Sequence, residues 1–412
     1  MGECVILQGM LQTSIYYHIP FCTKRCGYCD FNTFAGLSRF IPAYVEALCG
    51  EIRQVGQEAP QDQQVHTLFF GGGTPSLLRP QQIEEILETT RSAFEVRDDA
   101  EITMEANPGT VTSTRIRQYV AAGVNRFSFG MQSAHPDDLR ILDRTHDFKD
   151  VLDAVQACRQ AGIQQVNVDL IFGIPGQTME RWQSSLQRAV DMGVDHLSLY
   201  ALTVEEGTPL NSWINKGLLD LPDDDLAADM YDWGADFLAK QGFSQYEISN
   251  WSRGEDARCR HNLQYWEFKP YYGFGAGAHG FIEGKRTENV GLIGEYITRM
   301  QQGVANVPPA SSAAKTVTTL SIWDQMQELM MVGLRLTDAG VSAASFNERF
   351  GVEMEQVFAK QVDRLLGEGL VEIVEKPEKR IRLTPRGRLL GNQVFVEFVG
   401  NKEPEMLKMI SR

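Results

Sequence analysis

Six times in its first two hundred residues the chain passes from a short apolar run into an amphipathic stretch. Strands are predicted at 14–19, 65–70, 101–105, 126–129, 166–171 and 196–200, with helices at 39–54, 81–94, 113–122, 149–161 and 178–192. Gly123, Gly162 and Gly193 follow three of these helices, as left-handed caps require. Strands separated by helices pair in parallel through right-handed crossovers. Six units fall short of the eight that close a barrel, so the expected fold is α/β, an open partial (β/α)6 TIM-like barrel.

That topology gathers the polar residues. Parallel α/β proteins keep their ligand site at the carboxyl ends of the strands. Gly71-Gly72-Gly73-Thr74-Pro75 follows the second strand, Glu105 ends the third, Gln132 follows the fourth, Asp169 sits in the fifth and Ala201 follows the sixth. Three glycines permit close backbone approach to a small zwitterion, and an acid at a strand end suits a cationic ligand. The loop after the first strand opens on the same face and carries Cys22, Cys26 and Cys29 in a C-x3-C-x2-C spacing. Such a loop wraps three thiolates around three corners of a 4Fe-4S cube and leaves the fourth iron without a protein ligand. A structural zinc site is the alternative, but the second C-x2-C pair or closely spaced histidines that usually complete one do not occur. Disulfides are disfavoured by seven cysteines, the lack of a secretory signal and a length that needs no staples.

The run Tyr16-Tyr-His-Ile-Pro-Phe-Cys22, with the three cysteines, resembles the radical S-adenosylmethionine (SAM) superfamily, and in particular its HemN/HemW group, over nearly the whole chain. In that group the oxygen-independent coproporphyrinogen III oxidases carry a fourth cysteine two residues after the third, where this chain has Phe31. The string His261-Asn262-Leu263-Gln264-Tyr265-Trp266 instead resembles the HNxxYW signature of the HemW branch. The resemblance implies that SAM chelates the open iron, that Gly72, Gly73 and Thr74 meet its amino end, and that Tyr16, Tyr28, Glu105, Gln132, Arg144, Asp169 and Ala201 line its site. It implies a haem chaperone that binds haem as cargo and delivers it to acceptor haemoproteins. The alternatives are coproporphyrinogen III oxidative decarboxylation and a zinc-stabilised interaction module. No flavin or nicotinamide fingerprint occurs, so reduction of the cluster calls for an external electron donor.

With 412 residues, 43% of them hydrophobic, the chain can bury a large core and a smaller second one. Its net charge of −15 disfavours nucleic acid as a partner. No apolar run long enough for a membrane span and no signal peptide occur, so the expected location is cytoplasmic, with any peripheral membrane association arising through the acceptors. Residues 1–250 are assigned to the barrel, 251–319 to an aromatic, glycine-rich segment with a linker at 306–319, and 320–412 to a winged-helix-like C-terminal domain. That domain carries 13 Lys/Arg against 14 Asp/Glu, a balance that suits protein contact or a pocket lid rather than DNA. Within the middle segment His261 is the candidate haem ligand, with His18, His279 and Cys259 behind it. Cys4, Cys49 and Cys158 are expected to be silent.

Overall fold

The computed structural model describes residues 11–60, 62–303 and 308–400; Cys4 and the first two residues of the expected linker lie outside that range. The six predicted strands form in order: β1 (Leu11–Ile19), β2 (Gln63–Gly72), β3 (Val96–Ala106), β4 (Arg126–Gln132), β5 (Gln165–Phe172) and β6 (His196–Ala201). Each pairs in parallel with the one before it. The crossovers contain α1 (Ile41–Gln57), α2 (Pro80–Ala93), α3 (Ser113–Ala122), α4 (Phe148–Gln160) and α5 (Met179–Asp191).

Each helix lies on the sheet by an apolar stripe. In α5 the buried residues Trp182, Ser185, Leu186, Ala189 and Val190 recur at helical spacing, and Thr178 caps the first turn through the Arg181 N–H. Trp182 is fully buried and its indole N–H donates to the Met230 carbonyl at 2.8 Å. Truncating it to alanine would cost about 3–5 kcal/mol.

Beyond β6 the chain departs from the expected plan. After α6 (Asp224–Lys240) come β7 (Ser244–Glu247) and β8 (Asn250–Ser252); β8 pairs antiparallel with β6 and β7 antiparallel with β8, covering one sheet edge. Then α7 (Arg260–Trp266) packs against β1 and β2, and β9 (Tyr271–Phe274) adds a seventh parallel strand beside β1. The antiparallel strands β10 (His279–Ile282), β11 (Lys285–Asn289) and β12 (Ala314–Thr319) extend that edge. The expected linker at 306–319 is thus corrected: its last six residues form β12 against β11. Lys315, Thr316, Thr318 and Thr319 made that strand look like loop, because most of its residues face solvent.

The same late segment braces the cysteine loop. The Asn32 amide donates to the carbonyls of Ala276 and Gly291 at 3.0 and 2.9 Å, and the Tyr44 hydroxyl donates to the His18 carbonyl at 2.7 Å.

The C-terminal unit has its own core of Trp323, Met330, Phe346, Phe358, Leu365 and Ile381. It begins with α8 (Ile322–Gly333), followed by β13 (Val341–Ser342) and α9 (Ala343–Phe350). Two short helices follow, Met354–Val357 and Ala359–Gly367, broken at Phe358, whose ring is fully buried. β14 (Val371–Val374) and β15 (Arg380–Leu383) form the predicted hairpin, and β13 joins it as a third antiparallel strand. No helix among the described residues is long and apolar enough to cross a membrane.

Candidate functional site

Cys22 ends a two-residue strand, Phe21–Cys22, that pairs with Phe34–Ala35, so the loop between them leaves and returns at one place. Each of its sulfurs has its own polar neighbour. Thr74 Oγ1 donates to Cys22 Sγ at 3.7 Å, Arg144 Nη1 donates to Cys26 Sγ at 3.4 Å, and Thr33 Oγ1 lies 3.7 Å from Cys29 Sγ. Burial raises the Cys22 thiol against the Thr74 donor, and hydrogen-bond donors aimed at each sulfur are what the ligands of a cluster carry, so this set fits one. Among the described residues no three His, Cys, Asp or Glu side chains converge as the ligands of a single ion would. A cube presents its irons at separate corners and does not ask the sulfurs to meet.

The glycine loop after β2 is pressed against this one. Gly73 N–H donates to the Ile19 carbonyl at 2.9 Å and Thr74 N–H to the Phe21 carbonyl at 2.8 Å. A Cβ on Gly73 would stand 2.7 Å from the Phe21 carbonyl oxygen and 3.1 Å from Cys22 Sγ, so only glycine fits. Gly72, at φ +107°, turns its N–H to Glu105 Oε2 at 3.1 Å.

Both loops open on a cavity of about 530 Å³ inside the barrel. Two acids line it. Glu105 has its pKa pushed up to about 8, chiefly by burial and then by Asp169, against the Gly72 N–H. Asp169 is raised too, by burial, although the Asn167 amide and Ser128 hydroxyl donate to it at 2.8 and 3.0 Å. Two carboxyls confined in one cavity resist ionising together, and a cationic ligand would relieve both, so the residues fit a sulfonium-bearing molecule such as SAM.

The structure brings most of the predicted residues to this cavity: the three cysteines, Tyr28, Gly72, Gly73, Thr74, Glu105, Gln132, Arg144, Asp169 and Ala201 all line it. Gln132 reaches it through a left-handed backbone, φ +64°, just past a register shift in β4. Tyr16 does not line the cavity; its hydroxyl meets His18 Nδ1 at 3.0 Å and its ring stacks on Phe69.

His261, the candidate haem ligand, lies inside the scaffold. The residue is 1% exposed, its Nδ1 meets Thr67 Oγ1 at 2.8 Å and its Nε2 meets the Tyr265 hydroxyl at 2.9 Å. Burial pushes its pKa down to about 3, so the ring is neutral and both nitrogens are spent inside the scaffold. His18 is likewise bonded on both nitrogens, to Tyr16 and to the Asn32 carbonyl, while His279 is exposed on β10. Cys259 does line the cavity, but burial raises its thiol to about 12.

Sequence reading missed Arg126, Ser128, Asn167, His196, Ser198 and Tyr200, which all line the cavity. The signal was there: they alternate along β4, β5 and β6 in phase with Gln132, Asp169 and one another, and period-two alternation puts them on one face. From α7 it is Asn262, and not His261, that lines the cavity.

Comparison with known proteins agrees with this geometry. The radical SAM superfamily model matches residues 16–189 and the HemN C-terminal domain model residues 320–390. The Heme chaperone HemW of Bacillus subtilis (strain 168) is 36% identical over 94% of this chain and 99% of its own length. That of Lactococcus lactis subsp. lactis (strain IL1403) is 34% identical over 95% and 98%. Among solved structures, Escherichia coli coproporphyrinogen III oxidase (HemN) shares the fold with a TM-score of 0.80 at 23% identity, covering 95% of this chain and 90% of that one. A three-cysteine loop over an acid-lined barrel cavity, followed by a HemN C-terminal domain and joined to such full-length likeness, places the chain in the HemW family of the radical SAM superfamily.

Proposed function

We propose that this protein is a haem chaperone, which holds haem at the barrel mouth beside a 4Fe-4S cluster and SAM and passes it to acceptor haemoproteins. One observation carries the reading. Phe31 and Tyr200 are 63% and 41% exposed, and both line the cavity onto which the three cysteines open. Aromatic faces left bare at a cavity rim offer a flat macrocycle a stacking surface. Phe31 also stands where the resembling oxidases have a further cysteine, so a thiol for handling a porphyrinogen substrate is missing. The full-length likeness to relatives named as haem chaperones supports the same reading.

Within it, Cys22, Cys26 and Cys29 hold the cluster, and Thr74, Thr33 and Arg144 steady the thiolates. Glu105 and Asp169 compensate the positive charge of SAM, and Gly72 and Gly73 let its amino end approach the backbone. When bound, cluster and SAM together supply one-electron chemistry, driven by an external donor. Reduced thiols and an exposed cluster loop suit the cytoplasm.

The test is an anaerobic haem titration, followed by absorbance, on protein with and without its cluster, beside an assay on coproporphyrinogen III. Stoichiometric haem uptake without decarboxylation is the expected outcome. Robust conversion of coproporphyrinogen III would establish the oxidase instead.

A further inference from the structure

Arg126 opens β4, is 2% exposed and lines the cavity. Its Nε and Nη2 meet no acceptor among the described residues. The acids near it are committed elsewhere. Glu101 accepts the Arg260 and His261 N–H groups at 2.9 and 3.1 Å, and Asp169 accepts from Ser128 and Asn167. His196 is held between Asn167 and the Tyr246 hydroxyl, both at 2.7 Å. A guanidinium cannot discharge itself by losing a proton; Glu101 and Asp169 act on this one through space without accepting its N–H groups, which leaves Nε and Nη2 to meet a ligand.

Position narrows what that is. Arg126 stands six residues along β4 from Gln132, about 20 Å away at the usual strand rise. A carboxylate seated beside the cysteines is therefore served by Arg144 and does not reach Arg126. Asn262 lines the same cavity from α7, and its side-chain amide is engaged by no hydrogen bond among the described residues. We propose that Arg126, with Asn262, is a carboxylate-binding subsite at the floor of the barrel, taking an acid group of a ligand whose body fills the cavity above. The planar fork of arginine pairs two N–H donors with the two oxygens of a carboxylate, and the amide adds a third donor. Two sources supply that chemistry: a propionate of a porphyrin, or the amino-acid carboxylate of an S-adenosyl molecule lying deeper than the one at the cysteines. The subsite itself does not rest on the haem reading; only the first source does.

The experiment uses anaerobic, cluster-loaded full-length protein, as wild type, Arg126→Met and Arg126→Lys. Affinities are measured for haem, haem dimethyl ester, SAM and decarboxylated SAM, together with the melting temperature of the unliganded protein. Arg126→Met is expected to weaken one acid-bearing ligand roughly tenfold or more, Arg126→Lys less, with no change for that ligand's carboxylate-free counterpart. A loss confined to haem against its ester assigns the propionate; a loss confined to SAM against its decarboxylated form assigns the amino-acid carboxylate. Unchanged affinities for haem and SAM alike would overturn the proposal. So would equal losses for acid and counterpart with a lowered melting temperature, since that is scaffolding. A wild type that takes up no haem removes the chaperone reading and leaves the SAM pair to decide the subsite.

Discussion

Arg144 Nη1 donates to Cys26 Sγ across 3.4 Å while its Nη2 donates to the Gly130 carbonyl at 2.7 Å, so one guanidinium ties the cysteine loop to the end of β4. Arg144→Met should still assemble a cluster, but one that loses iron severalfold faster to a chelator and has a more negative potential, because a donor to its thiolate is gone. Cys22→Ala, Cys26→Ala and Cys29→Ala should each abolish the cluster. Cys49→Ala and Cys158→Ala, buried in α1 and α4, should leave iron and sulfide content unchanged.

Glu105 sets a pH dependence. Its folded pKa of about 8 lies above its ordinary 4.5, so the folded protein keeps a proton that the unfolded chain has released. Stability of the unliganded protein therefore falls as pH climbs from about 4.5 to about 8, and Glu105→Gln should remove that part of the slope. SAM affinity should run the other way, strengthening as pH rises through about 8 and ionises the carboxyl, and becoming flatter and weaker in Glu105→Gln. Denaturation curves and binding isotherms across that interval check both signs.

Glu51 is the anchor of the late strands. From inside α1 its carboxylate accepts from Ser311 Oγ, the Tyr296 hydroxyl, the Asn289 amide and the Gly275 N–H, at 2.6 to 2.8 Å. Glu51→Ala orphans several of these buried donors and should cost about 3 kcal/mol or more in urea unfolding. Glu51→Gln, which keeps one acceptor oxygen, should cost less.

Haem uptake should follow the rim and not the buried imidazole. Phe31→Ser is expected to weaken haem binding about fivefold to tenfold by removing an exposed aromatic face. His261→Ala should lower the melting temperature by opening the contacts to Thr67 and Tyr265 while leaving the haem spectrum as in wild type. A change in axial-ligand bands in His261→Ala alone would return the ligand role to that residue.

The sequence carried the parallel core well, because the apolar runs in β1 to β6 and the amphipathic crossovers are local signals. Cys22, Cys26, Cys29, Gly73, Glu105 and Asp169 were legible for a related reason: chain order alone puts strand ends on one face. Arg126 was not, because a charge at the start of a strand looks like a solvated end until its burial is known. The pairing of β9 with β1 joins residues more than 250 positions apart, and no local pattern encodes it. The burial of His261 was not legible either, because a sequence shows an imidazole without showing how its nitrogens are engaged.

The braces from Asn32 to Ala276 and Gly291 give the cysteine loop a history as well as a shape. The three cysteines are translated first, yet the residues that accept the Asn32 braces are among the last of the barrel to be made. A nascent chain stopped before β9 holds the three-cysteine loop by the glycine loop, Arg144 and the Phe21–Cys22 pairing alone, with β1 as a bare sheet edge. The topology therefore completes the bracing of the three-cysteine loop only once the chain has been made as far as Gly291.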